Sequence, residues 1–120
     1  MKLIIAGGRD FSQCDMVASA VAHAANRMGK FVGDISEIVS GGASGADACG
    51  EEYAKAAGIP LKVFPADWDK HGRAAGPIRN QQMAEYADGL LCFWDGKSRG
   101  TANMLECMKK LGKPSLTIYY

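Results

Sequence analysis

Short apolar runs each followed by a glycine-bearing segment occur four times along this chain, and that pairing constrains its fold more than any other feature. Lys2 to Ala6 (KLIIA) runs into Gly7 and Gly8, and Ile35 to Ser40 (ISEIVS) into Gly41, Gly42 and Gly45. Leu61 to Phe64 (LKVF) precedes a loop with Gly72 and Gly76, and Gly89 to Trp94 (GLLCFW) precedes Gly96 and Gly100. Nine of the 15 glycines in 120 residues lie in these segments. Runs of this length, rich in branched residues and bounded by glycine, read as buried strands.

Segments with helical spacing separate the runs. Ser12 opens the first, with Asp15 as a capping-box partner, and Val17, Ala20, Val21, Ala24 and Met28 form its apolar face. The second runs from Ala46 to Ala57 and is closed by Gly58 and Pro60. Pro65 to Ala75 reads as a loop, and Pro77 suits the first turn of a third helix reaching Ala87. A fourth spans Thr101 to Leu111, before a last strand, Ser115 to Tyr119. Strict alternation without a linker predicts one α/β domain over residues 1–120, a Rossmann-like three-layer fold with a five-stranded parallel sheet. The expected strand order is 3-2-1-4-5, which reverses between strands one and four and opens a ligand crevice there. All four glycine clusters then converge on that edge.

Composition removes several classes of function. The formal net charge of +1 offers little to a nucleic-acid backbone. No apolar stretch approaches the roughly 20 residues that span a bilayer, and the N-terminus lacks a secretory pattern. The expectation is a cytoplasmic protein with no membrane partner. Cys14, Cys49, Cys92 and Cys107 show no metal-ligand spacing and read as reduced, mostly buried thiols. No metal is expected.

Chemistry concentrates in three segments. Ser40 to Asp47 (SGGASGAD) joins the second strand to the second helix, where Gly41, Gly42, Ala43, Ser44 and Gly45 let a ligand press on the main chain and the helix start favours an anion. Gly7, Gly8 and Arg9 follow the first strand, with Arg9 placed as a phosphate or carboxylate clamp. Ser98, Arg99, Gly100 and Thr101 make a second anion site at a helix start. Arg79 and Asn80 can point into the crevice, and Trp68 can stack on a base or cap the core. These are the expected ligand-binding residues, with Asp47 beside the glycine turn.

The order SGGASGAD, AGPIRNQQM, SRGT on a small Rossmann-like domain resembles the YspA/YpsA-related branch of the SLOG superfamily, which also includes DNA-processing protein A and the Lonely Guy phosphoribohydrolases. The resemblance covers essentially the whole chain. It implies a nucleotide or nucleotide-derived ligand held by Gly41, Gly42, Gly45 and Asp47, with Arg79 and Thr101 nearby. Lonely Guy enzymes carry PGGxGTxxE and an Arg four residues before a Met. Arg79 and Met83 keep that spacing, but the glycine turn precedes them and carries Asp47, with Glu51 one turn later.

The reading expected first is therefore a protein that senses or sequesters a phosphorylated nucleotide-derived ligand without a required cofactor. The alternative is an enzyme hydrolysing the N-glycosidic bond of a nucleoside monophosphate, with Asp47 or Glu51 catalytic. A single-strand nucleic-acid accessory role ranks last. A homodimer or larger homo-oligomer through the alanine-rich first helix is also expected.

Overall fold

Along the first strand, β1 (Lys2–Gly7), Leu3 and Ile5 pack into one hydrophobic cluster while Ile4 and Ala6 pack into another, so the strand is covered on both faces. A strand buried twice has no use for polar alternation, which is why it reads as an unbroken apolar run. The computed structural model describes all 120 residues. β2 (Glu37–Ser40), β3 (Leu61–Val63), β4 (Gly89–Trp94) and β5 (Ser115–Tyr119) join β1 in one sheet ordered β3-β2-β1-β4-β5. Every pairing is parallel, with Ile4 opposite both Val39 and Leu90. The expected fold class and strand order are those of the protein.

Helices α1 (Val17–Arg27) and α2 (Ala46–Ala57) cover the face of Leu3, Ile5, Ile38, Leu91 and Phe93. Helices α4 (Ala75–Tyr86) and α5 (Arg99–Lys110) cover the face of Ile4, Val39, Leu90 and Cys92. Between β3 and α4 the chain is less loop-like than its composition suggests. Asp67 Oδ1 accepts from the Lys70 amide at 3.0 Å and caps a single helical turn, α3 (Trp68–His71). A 3-10 turn, Gly72–Ala74, then leads into α4. No helix is long and apolar enough to cross a membrane.

Two expectations change in the first crossover. The helix does not open at Ser12, and no Ser12–Asp15 capping box forms; a 3-10 turn, Cys14–Met16, comes first. The reason is Phe11, which is buried and stacks on Phe93 with ring centroids 4.3 Å apart. Burying that ring keeps the chain over the sheet edge past the point where a helix would start. The second change follows from the first. Cys14, carried on the 3-10 turn, stands over the first turn of α2 with its Cα 4.9 Å from that of Cys49, and the two form a disulfide. That separation is within the range a disulfide needs. The expectation of reduced thiols is therefore corrected for Cys14 and Cys49, and only Cys92 and Cys107 are free and buried.

Candidate functional site

Because all strands run the same way, the turns after β1, β2 and β4 open on one edge of the sheet. They border a crevice of about 720 Å³. Gly7, Gly8, Arg9, Ala43, Asp47, Trp68, Arg79, Asn80, Ser98, Gly100 and Thr101 all line it. A hollow of about 400 Å³ adjoins it on the β3 side, sharing Arg9, Ala43, Trp68 and Arg79, and adding Gly41, Gly42 and Ser44 from the expected set. Two expected residues line neither space: Gly45 and Glu51.

The glycine turn after β2 directs much of its hydrogen bonding inward. The Gly42 amide donates to Ser40 Oγ at 3.1 Å, and Ser40 Oγ in turn donates to Glu51 Oε2 at 2.7 Å. Glu51 is thus a brace beneath the turn. The Ala43 amide donates to Asp47 Oδ2 at 3.3 Å. At the start of α2 the Ala46 amide donates to the Gly8 carbonyl at 3.1 Å, so the β1 turn occupies part of this helix N-terminus. Gly45 makes that approach possible: with φ at +73°, a Cβ there would stand 2.5 Å from the Arg9 carbonyl carbon. At Gly45, the space that the sequence assigns to a ligand is filled by the neighbouring turn.

Gly41 serves the chain's own side chains in the same way. A Cβ on it would stand 2.6 Å from Arg79 Nη1 and 2.8 Å from Asp47 Oδ2. Arg79 reaches across from α4, donating through Nη1 to Gly41 O at 2.6 Å and through Nε to Asn80 Oδ1 at 3.1 Å. Those bonds fix the guanidinium and leave Nη2 unengaged. Asn80 spends its amide on Gly100 O at 3.2 Å and Asn103 Oδ1 at 2.9 Å, tying α4 to α5. Asp47 is 5% exposed. Burial raises its carboxyl above the ordinary value, against the lowering effects of the Ala43 amide and the Arg79 charge. Burial likewise lowers the Arg79 guanidinium, with Asp47 opposing.

The start of α5 is more open than that of α2, where only the amides of Asp47 and Ala48 stay free. In α5 the first amide donating to the backbone is that of Ala102, to Ser98 O at 3.1 Å; those of Arg99, Gly100 and Thr101 have no acceptor in the chain. Thr101 is 4% exposed, yet its hydroxyl bonds nothing in the chain. No wholly buried side-chain nitrogen or oxygen goes unpartnered, so the little access this oxygen keeps is to the crevice it lines.

Several lining residues escaped sequence reasoning. Arg73 brings the arginines at the crevice to four, beside Arg9, Arg79 and Arg99, with Asp10, Asp47 and Asp95 as its carboxylates. Arg73 adjoins Gly72, which is the signal that marks it. No group of three or more His, Cys, Asp or Glu side chains is placed to hold a metal.

The profile of the YspA, cpYpsA-related SLOG family matches residues 1–71 of the chain. That span holds the turns after β1 and β2. The chain belongs to this family. It is also similar to the Gene 61 protein of Mycobacterium phage D29, with 35% identity over 83 residues covering 64% of this chain and 66% of that protein. The chain therefore spans just under two thirds of that relative's length. No solved structure matches it. Within this SLOG domain, Arg79, Asn80 and Thr101 lie beyond the matched residues, so their part in the site rests on the geometry above.

Proposed function

We propose that this SLOG domain binds a phosphorylated, nucleotide-derived ligand in the crevice, with its phosphate on the first turn of α5. The observation that carries this reading is unspent hydrogen-bonding capacity at one place. Three free amides at a helix start, the Thr101 hydroxyl and nearby arginines meet there. Free amides and the helix dipole favour an anion, and guanidinium groups add charge-assisted bonds. The crevice volume is that of a small-molecule site. Family membership supports a nucleotide as the carrier of the phosphate.

A second reading, hydrolysis of a nucleoside monophosphate at its glycosidic bond, has one observation in its favour. Asp47 lines the crevice with its carboxyl pushed up by burial, as a general acid or base would be. Glu51 has no such support, since it is bonded to Ser40 outside the crevice.

Native mass spectrometry of the protein incubated with each ribonucleoside monophosphate, followed by chromatography for free base, tests both readings. A mass shift of one bound nucleotide with no base released is the expected result. No mass shift with any of them contradicts nucleotide binding. Base released by the wild type and abolished in Asp47→Asn makes the protein an enzyme instead.

A further inference from the structure

The hollow beside the glycine turn differs in chemistry from the crevice it joins. Val63, Pro65, Ala66 and Trp68 give it apolar walls on the β3 side, while Arg9 and Arg79 stand at the shared border. Trp68 is 49% exposed and Val63 is exposed as well, so two large apolar side chains are left to water at the rim of one small space. The indole does not hang free. Its Cη2 would lie 3.4 Å from a Cβ on Gly76, so the ring rests on the start of α4. Its Nε1–H donates to nothing in the chain, whereas Trp94 Nε1 donates to Ser98 O at 3.1 Å. A seated, half-exposed indole offers a planar heterocycle a surface to stack on.

We infer that this hollow takes the base of the ligand, so that the ligand lies across the sheet edge with its phosphate on α5 and its base against Trp68. The inference rests on the crevice being a nucleotide site and adds the ligand's orientation and the residue that holds the base. β3 and β4 are three strand spacings apart, about 14 Å. A ligand reaching from the hollow beyond β3 to the helix start beyond β4 must be elongated. A nucleotide is elongated, and inorganic phosphate is not. Arg9 and Arg79, which border both spaces, then flank the middle of the ligand, where ribose or a further phosphate lies.

The test is calorimetric titration of wild type, Trp68→Ala and Trp68→Phe with AMP, GMP, CMP, UMP and ribose 5-phosphate. Trp68→Ala is expected to weaken the preferred nucleoside monophosphate by roughly fivefold to a hundredfold, the range for removing one stacking platform. Trp68→Phe keeps most of the affinity. Ribose 5-phosphate, which has a phosphate and no base, changes by less than about twofold in either variant. Unchanged nucleotide affinity in Trp68→Ala overturns the base seat while leaving nucleotide binding intact. So does an equal loss for ribose 5-phosphate, which places Trp68 at the sugar or phosphate instead. A wild type that binds none of the five overturns the nucleotide reading and this inference with it. Melting temperature controls for folding, and with Trp68 half-exposed the variants are expected to melt near wild type.

Discussion

Asp47 is held where an ionised carboxylate is costly, and stability should record that. Its folded carboxyl titrates above its unfolded value because of burial. The folded state therefore binds this proton more tightly, a contribution present below the unfolded carboxylate range and lost as pH rises through the raised value. At neutral pH the charge works against folding, and the neutral isostere removes that penalty. Asp47→Asn is thus predicted to melt higher than wild type at pH 7, with the gap shrinking as pH falls toward 4. A gap independent of pH would show that the charge of Asp47 is not the cause. Residues of this kind divide sharply in how legible they are. Asp47 and Arg79 were readable because a charged residue beside a glycine turn or at a helix start has few other uses. Gly45 and Glu51 were readable as important but not in role. Nothing in their types says that one makes room for the Arg9 backbone and the other braces Ser40.

At the scale of elements, β4, β5 and α2 begin and end where their residue patterns place them. Each is bounded by a hard stop such as Gly58, whose φ is +69°. The first crossover departs from its pattern because a tertiary contact, Phe11 on Phe93, outweighs local capping, and no local signal reports such a contact. The disulfide was hidden for the same reason, since its partners are 35 residues apart and meet only through that displaced turn. It ties the segment after Arg9 to the helix that carries Asp47. Opening it is predicted to lower unfolding stability by about 2–4 kcal/mol, the usual effect of closing a loop of this size. Urea denaturation with and without a thiol reductant should show a lower midpoint for reduced wild type and no reductant effect in a Cys14→Ala, Cys49→Ala double variant. A wild type indifferent to reductant would mean that the two thiols are not joined.

For the molecule as a whole, function follows from direction. Parallel strands put every strand-to-helix turn on one edge, so segments far apart in the chain meet at a single crevice. That much was legible from alternation and glycine placement alone. Which helix start stays more open was not. The α2 end, with the more conspicuous glycine motif, receives the Gly8 carbonyl, while the α5 end keeps three free amides and Thr101. The central claim is that a phosphate belongs there. Thr101→Val removes a hydroxyl without changing shape, and since that hydroxyl pairs with nothing in the chain, folding stability should not fall. The decisive measurement is calorimetric titration of wild type and Thr101→Val with a ribonucleoside monophosphate and its nucleoside. The wild type should bind the monophosphate at least about tenfold tighter, as one charge-assisted hydrogen bond already provides. Thr101→Val should lose several-fold for the monophosphate and almost nothing for the nucleoside. Equal affinity of wild type for the pair, or an equal loss for both in Thr101→Val, would contradict a phosphate seat on α5.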